Sequence, residues 1–195
     1  MSAHDDSAPA AAGAGTTLQD GGFPTHERPC AAPTDQRRVG VESSCFVCEP
    51  RNAAGLRIPF YHDADAQRVV AEFSLDEQFS GAPRFVHGGV LLAILDEAMA
   101  WATIAIAGRF AVTTETTSRF ARPVKIGRDH SVNAWIDGID GRIIRTGAEI
   151  VDANERPCVT AVATFTDLDP EQVVVAVGGE ITGEAATYTG RTSAR

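Results

Sequence analysis

The longest apolar stretch of this chain constrains its fold more than any other feature. From Gly88 to Ala107 the sequence GGVLLAILDEAMAWATIAIA is apolar at nearly every position, so apolar side chains cover the whole circumference of a helix. A helix that is apolar on all sides is typically buried in a core. Gly108 follows directly and is a typical helix stop. We therefore predict one long buried helix from about Gly88 to Ala107.

Short strands are predicted on both sides of this helix. Apolar and aromatic residues in short runs, separated by turn residues, are typical of β-structure. Two strands and a turn precede the helix, at residues 56–61 and 68–73, and four strands follow it, at residues 111–120, 130–136, 143–151 and 158–165. One antiparallel sheet wrapped around one helix accounts for this order, whereas a doubly wound parallel fold needs helices between the strands. The predicted fold class is α+β.

The chain of 195 residues has the length of one domain with tails. Residues 1–42 are rich in Ala, Gly, Pro, Asp and Thr without lasting hydrophobic periodicity, which predicts a disordered N-terminal tail. The predicted domain covers residues 43–168. Residues 169–195 form a C-terminal extension that we expect to be mostly mobile, with residues 173–177 as a candidate last strand.

The charge and the terminal sequence exclude several classes of function. A net charge of −9 argues against general nucleic-acid binding, because the polyanion would be repelled. No uninterrupted apolar run reaches ~18 residues, so no membrane-spanning helix is expected. The N-terminus lacks a cationic start followed by an apolar stretch, so we expect a cytoplasmic location.

Cys45 and Cys48 have the Cys-x-x-Cys spacing that holds a metal or forms a redox disulfide. A structural zinc site needs four ligands, and no second Cys-x-x-Cys or paired histidine follows in the sequence. Two reduced thiols at the start of the domain are therefore the favoured interpretation, and no metal is expected.

Three motifs resemble one known family. They are residues 45–56 (CFVCEPRNAAGL), His87-Gly88-Gly89 followed by Leu95-Asp96-Glu97, and residues 119–127 (RFARPVKIG). Over about residues 43–168 the chain resembles the hotdog-fold acyl-CoA thioesterases, specifically the phenylacetate-pathway type. The resemblance implies a sheet wrapped around a helix and hydrolysis of an acyl thioester to acid and thiol. It also implies a homodimer with sites at the interface, pairing of dimers in some members, and coenzyme A as part of the substrate without a separate cofactor.

The sequence departs from the family pattern at a few positions. Glu49 stands where glycine is usual, and Ala53 stands where proline is usual. Some relatives have an asparagine six residues before the histidine, where this chain has Gly81. Gln78 is an alternative source of an amide, so we assign the role of that asparagine to no residue.

Thioester hydrolysis needs a donor for the developing oxyanion and a base or nucleophile for the acyl carbon. Gly88 and Gly89 open the predicted helix, where backbone N–H groups have no helical partner and lie at the positive end of the dipole. The resemblance implies that the Gly88 N–H is the oxyanion donor; alternatively, the two glycines only allow a tight turn. For His87, a helix-entry role is favoured over a role as acid or base.

Asp96 and Glu97 lie in the middle of the apolar helix, where a charge needs a partner or a polar cavity. Neighbouring helix residues diverge by ~100°, so both are not expected in one site. By resemblance Asp96 is the general base or nucleophile, and Glu97 is the fallback. Asp96 lies ~12 Å along the helix from Gly88, at ~1.5 Å per residue, which is too far for one reaction centre. Asp96 is therefore expected to act on a thioester held by Gly88 of a second subunit.

Further candidate residues come from the strand after the helix and from the basic residues near it. Thr113 is a candidate for orienting the attacking water, although a plain strand-forming threonine explains it equally well. The phosphates of coenzyme A attract basic side chains, while a solvated strand face is an equal alternative. The basic candidates are Arg84, Arg119, Arg122 and Lys125.

Two other functions compete with hydrolysis. A hydratase or dehydratase shares the fold, but its His-x-x-x-x-x-Pro-Gly loop does not follow His87. A non-enzymatic acyl-CoA sensor is the rival from another class. An aspartate kept inside an apolar helix argues against a sensor, because Leu or Ala would serve binding as well. The sequence leaves open the acyl group, a carrier-protein thioester in place of CoA, and tetramers in place of dimers.

Overall fold

The computed structural model describes residues 31–33 and 44–177 of the chain. A seven-stranded antiparallel sheet packs against one long helix, in the strand order β1-β2-β3-β7-β8-β9-β6. Two further short strands, β4 and β5, pair with each other. The strands are β1 Ala31–Pro33, β2 Tyr61–Asp63, β3 Arg68–Phe73, β4 Ser80–Ala82, β5 Phe85–Val86, β6 Ala111–Phe120, β7 His130–Asp140, β8 Ile143–Asp152 and β9 Pro157–Asp167, and the helices are α1 Gly88–Ala105 and α2 Pro170–Val177. The predicted fold class is confirmed.

Helix α1 forms the centre of the core, as its composition predicts. It contacts strands β3, β6, β7, β8 and β9. Ile94, Leu95 and Met99 are completely buried, and truncating such a residue to alanine typically costs about 2–5 kcal/mol. Burial is not uniform around the helix, however, because Leu92 is 37% exposed and Asp96 is partly exposed. One stripe of α1 therefore remains uncovered by the sheet of its own chain.

By length and composition alone, α1 is also apolar enough to cross a membrane. No membrane-spanning helix was predicted from the sequence, because Asp96 and Glu97 interrupt the apolar run of α1. In the fold, the apolar side chains of α1 pack on the sheet, as in the core helix of a globular domain.

The segment before β2 differs from the prediction. Residues 56–60 are irregular, and the strand occupies Tyr61–Asp63, which the sequence analysis had partly assigned to a turn. Residues 44–60, here called the N-terminal loop, are held by internal hydrogen bonds in place of a sheet ladder. Leu56 N donates to Phe46 O at 2.7 Å, and Asn52 Nδ2 donates to Ser44 O at 3.0 Å. A Cβ at Gly55 would lie 2.5 Å from Phe46 O, so only glycine fits that position.

The two predicted tails each contain a regular element. Ala31–Pro33 pairs with β2 as an edge strand, inside the segment predicted to be disordered. The predicted strand at residues 173–177 is wrong, because Pro170–Val177 is a helix. Gln172 N donates to Asp169 Oδ1 and Asp169 N donates to Gln172 Oε1, which is a reciprocal capping box with Pro170 in the first turn. The rest of both predicted tails lies outside the described residues.

Strand β6 forms the other edge of the sheet and is largely exposed. Among residues 31–33 and 44–177 it pairs with β9 alone, and most of its residues are solvent-exposed, including Val112 at 45% and Phe120 at 50%. A β-bulge interrupts its register between Thr113 and Glu115. A ten-residue edge with exposed apolar side chains is a template for pairing with another strand.

Candidate active site

The start of helix α1 has one free backbone donor. His87 is the N-cap, and its Nδ1 accepts a hydrogen bond from Gly89 N at 2.9 Å. The helix-entry role favoured for His87 is therefore what the structure shows, and the Gly89 N–H is already used. Within the described part of the chain, no acceptor takes the Gly88 N–H. Of the two glycines, Gly88 is the one able to receive an oxyanion.

An apolar cleft of about 320 Å³ opens beside this free donor. Phe120 of β6 covers Gly88 so closely that a Cβ at Gly88 would lie 3.6 Å from its ring. The cleft is lined by Phe85, Val86, Gly88, Leu91, Phe120, Ala121, Arg122, Pro123 and Val124. An apolar cleft that ends at a helix N-terminus suits a ligand with an acyl or alkyl chain and one polar reacting group.

Gly81 is explained by close packing against the helix entry. A Cβ at Gly81 would lie 2.8 Å from the Cα of His87, so an asparagine at this position would displace the helix cap. Gln78 does not replace that amide, because its Nε2 donates to Asp76 at 3.1 Å and its side chain is exposed. The described residues therefore place no side-chain amide in the cleft.

Asp96 is hydrogen-bonded to Thr113. Thr113 Oγ1 donates to Asp96 Oδ1 at 2.7 Å, a length typical of a hydroxyl bonded to a charged carboxylate. The β-bulge directly after Thr113 changes the direction of β6 at this point, and bulges commonly aim a side chain in this way. The Asp96–Thr113 pair is only partly buried and faces the exposed edge of the sheet.

Glu97 faces a different environment from Asp96. Its carboxylate lies with the thiols of Cys45 and Cys48, and the three potential ligand atoms all lie within 4.8 Å of one another. Burial, and then the charge of Cys45, raise the pKa of Glu97 to about 7. The hydrogen bond from Cys48 lowers the pKa of Cys45 and raises that of Cys48. Glu97 therefore does not join Asp96 in one site, as the ~100° divergence of neighbouring helix residues predicts.

Within one chain the two halves of the candidate site are separate. Gly88 and Asp96 both lie on α1, eight residues apart, which corresponds to ~12 Å along the axis at ~1.5 Å per residue. Asp96 and Thr113 are also missing from the lining of the cleft. The structure thus brings Gly88 together with Phe120, and Asp96 together with Thr113, but it does not unite the two pairs within one protomer.

Three of the four basic candidates lie near the cleft. Arg122 lines it and donates to Pro157 O at 2.7 Å. The backbones of Arg84 and Lys125 run beside it, because Phe85 is bridged to Lys125 and Ile126 N donates to Arg84 O, but neither residue lines the cleft. Arg119 follows the alternation of β6 to the sheet face opposite Phe120, away from the cleft. We therefore keep three of these residues as candidates for phosphate contacts.

Two features of the site were not predicted from the sequence. Phe120 was quoted as part of a motif but was not assigned a role, although it covers Gly88. The grouping of Glu97 with the cysteines was also missed, because Glu97 lies far from Cys45 and Cys48 in the sequence. The available signal was an acidic residue next to the proposed catalytic one, turned ~100° away from it around the helix.

Comparisons with known proteins agree with this architecture. Residues 84–159 match the family model of the thioesterase superfamily. Acyl-coenzyme A thioesterase THEM4 from Mus musculus is 29% identical over 119 residues, which are 60% of this chain and 51% of that protein. The protein of the same name from Bos taurus is 25% identical over 132 residues, covering 67% of this chain and 54% of the relative. The chain thus spans about half the length of these curated relatives.

Solved structures support the fold as well. The crystal structure of a thioesterase superfamily protein is similar with a TM-score of 0.59 and 28% identity, covering 62% of this chain and 59% of that chain. A Streptococcus mutans protein bound to acetyl CoA shares the fold with a TM-score of 0.50 and 15% identity, over 52% of this chain and 82% of that one. Residues 84–159 of the chain thus resemble the thioesterase superfamily, and the fold is the hotdog fold that the motifs predicted.

Proposed function

We propose that this protein hydrolyses acyl-CoA thioesters to the free acid and coenzyme A. The observation that carries the proposal is the Asp96–Thr113 pair, a carboxylate fixed by a 2.7 Å hydrogen bond at an exposed edge of the sheet. The free Gly88 N–H at the end of an apolar cleft supplies the second element that acyl transfer needs. The THEM4 relatives, which are named acyl-coenzyme A thioesterases, support the same reaction class.

The active site of this proposal forms between two subunits. Strand β6 has ten residues, and no strand in the described part of the chain pairs with its outer edge; Leu92 is exposed on the same helix stripe as Asp96. If two copies of β6 pair antiparallel about their middle, the partner's Phe120 comes beside Ala111 and Thr113, since residues advance ~3.3 Å along a strand. Phe120 covers Gly88 within its own chain, so the partner's Gly88 arrives next to Asp96. A homodimer thereby unites the two pairs that one protomer keeps apart.

The reaction follows from these positions. The thioester carbonyl oxygen accepts the Gly88 N–H, which stabilises the negative charge that develops on attack. Asp96 either removes a proton from the attacking water or attacks the acyl carbon itself. When Asp96 acts as the base, Thr113 holds one oxygen of the Asp96 carboxylate, and the other carboxylate oxygen faces the water. Collapse of the tetrahedral intermediate breaks the C–S bond, and the coenzyme A thiolate leaves and takes up a proton. With water as the nucleophile, this step forms the free acid. With Asp96 as the nucleophile, a water molecule then hydrolyses the acyl–Asp96 anhydride, which releases the acid and restores the carboxylate.

The rest of the coenzyme extends away from the reacting end along the cleft. Arg122 lines the cleft and Arg84 and Lys125 lie on the segments beside it, which supports these three residues as phosphate contacts, because arginine and lysine are the usual phosphate ligands. The Streptococcus mutans protein bound to acetyl CoA has the same fold, which supports coenzyme A as the thiol portion of the substrate. The motif resemblance makes aryl-acetyl thioesters a substrate group to test first.

The direct test is a panel of acyl-CoA thioesters incubated with the purified protein and a thiol reagent. Hydrolysis releases coenzyme A and the free acid in equal amounts, and we expect this for at least one short or aromatic acyl group. A hydratase would change the absorbance of an unsaturated acyl chain without releasing thiol. A binding module would bind the ligand in calorimetry without turnover. Binding without thiol release across the whole panel would contradict the proposed function.

A further inference from the structure

The cluster of Cys45, Cys48 and Glu97 is not used by the proposed reaction. Glu97 comes from α1, and the two cysteines come from the N-terminal loop. We propose that these three side chains bind one divalent zinc ion, with the fourth position left to water. The ion would fasten the N-terminal loop to the central helix, one residue away from Asp96.

The positions of the three side chains fit tetrahedral coordination. Their ligand atoms lie within 4.8 Å of one another. Zn–S and Zn–O bonds of about 2.3 and 2.1 Å place the ligands of a tetrahedral ion about 3.4–3.8 Å apart. Small rotations of the side chains therefore close the cluster around an ion. Two thiolates and one carboxylate are a donor set that suits zinc, because soft sulfur excludes magnesium and calcium.

The backbone of the N-terminal loop is arranged to support a thiolate. The N–H groups of Val47 and Cys48 donate to Cys45 Sγ at 3.3 and 3.4 Å. These donors favour the deprotonated thiol, which is the form that binds metal. Two residues fix the conformation of the loop around Cys45. The Asn52 amide donates to the carbonyls of Ser44 and Cys45, and at Gly55 the backbone passes too close to Phe46 O for any side chain.

A buried indole N–H lies on the same face of α1 as Glu97, four residues further along the helix. Trp101 is 4% exposed, and its Nε1 has no hydrogen-bond partner among the described residues. Metal-ligating carboxylates are typically oriented by such a second donor. A dication also removes the repulsion between three acidic groups held this closely.

The test is a titration of the reduced, metal-free protein with Co²⁺ as a spectroscopic substitute for Zn²⁺, under argon and with both thiols confirmed free. We expect one Co²⁺ per chain, with the strong visible bands of a tetrahedral ion and a thiolate charge-transfer band that Zn²⁺ abolishes. Cys45→Ser, Cys48→Ser and Glu97→Gln should each weaken binding by about 100-fold or more, because even second-shell changes cost 10–100-fold.

Two matched controls make the result specific. Asp96→Asn removes the neighbouring carboxylate on the same helix, and Cys158→Ala removes a buried cysteine outside the cluster. Both variants should bind Co²⁺ as tightly as the parent protein, and circular dichroism confirms that every variant is folded. No tetrahedral Co²⁺ signal with free thiols would overturn the proposal. An unchanged affinity in folded Glu97→Gln would overturn it equally, because the helix would then contribute no ligand.

Discussion

Asp96 and Glu97 are neighbours on one helix, yet their surroundings differ in almost every respect. Asp96 is partly exposed, accepts a hydrogen bond from Thr113 and faces the unpaired edge of the sheet. Glu97 faces two thiols and a buried indole on the inner side of the N-terminal loop. A rotation of ~100° per residue separates the two carboxylates into different environments. The proposed reaction and the proposed metal site therefore use different faces of one helix.

The largest difference in turnover between the Asp96 and Glu97 environments is expected when each carboxylate is replaced by its amide. Asp96→Asn should lower kcat by about 10²–10⁴-fold, because the amide neither accepts a proton nor attacks the acyl carbon. Glu97→Gln should change kcat far less and act mainly on metal binding and thermal stability. Steady-state kinetics on one acyl-CoA, with folding checked by circular dichroism, compare the pair. If the Asp96→Asn protein stayed active while the Glu97→Gln protein were inactive, Glu97 and not Asp96 would be the catalytic carboxylate.

Thr113 tests whether the orientation of the Asp96 carboxylate matters. Thr113→Val removes a hydrogen bond to a charged group, worth about 1.5–3 kcal/mol, so kcat should fall about 10- to 100-fold. Thr113→Ser keeps the hydroxyl and should retain most of the rate. Thr114→Val serves as the neighbouring control, since Thr114 bonds only to the carbonyl of Thr164. Equal losses of kcat in Thr113→Val and Thr114→Val would indicate that the substitutions disturb strand β6, and not that the Asp96 carboxylate has lost its orientation.

The basic residues distinguish binding of the coenzyme from the chemistry. Lys125→Ala should raise KM for an acyl-CoA by several-fold and leave kcat nearly unchanged, because the lost contact lies far from the reacting carbon. The same variant should show no KM change with a thioester of a short thiol that lacks phosphates. Arg119→Ala, on the opposite sheet face, is the matched control. A similar KM increase for both thioesters would exclude a phosphate contact at Lys125.

The smallest effect on turnover is expected on the Glu97 side, in the N-terminal loop. Gly55→Ala forces a Cβ against Phe46 O at 2.5 Å, and such overpacking typically costs about 1–3 kcal/mol. At about 2–4 °C per kcal/mol for a chain of this size, the melting temperature should fall by several degrees. Turnover below the melting transition should stay near the parent value. A large loss of kcat with an unchanged melting temperature would connect the loop to catalysis.

The sequence predicted the central helix and the strands after it because their periodicity is long and strong. The motifs also singled out Gly88, His87 and Asp96 as candidate site residues, since each lies at a fixed spacing from the helix start, and their catalytic roles stay predictions. The loop before β2 was mispredicted because Asn52 and Gly55 shape it through hydrogen bonds that leave no hydrophobic period. The last element was mispredicted because its valines favour a strand, while the Asp169–Gln172 capping box, visible in the sequence, favours a helix.

Contacts between distant segments were not visible in the sequence. The grouping of Glu97 with Cys45 and Cys48 depends on how the N-terminal loop folds back onto α1, and the position of Thr113 beside Asp96 depends on a β-bulge. Neither contact leaves a local pattern of residues. What the sequence did contain was the constraint of distance, because ~12 Å between Gly88 and Asp96 follows from helix geometry alone.

That distance leads to the measurement that tests the account most directly, the mixing of two inactive variants. One carries Asp96→Asn, and the other carries Gly88→Pro, which deletes the donor N–H at a position in the first helical turn where proline is tolerated. A mixed dimer then has one site with both defects and one site with neither. After subunit exchange confirmed by mass, we predict hydrolysis near half the parent rate per mixed dimer. Complete exchange of folded subunits with no recovery of activity would contradict the intersubunit site.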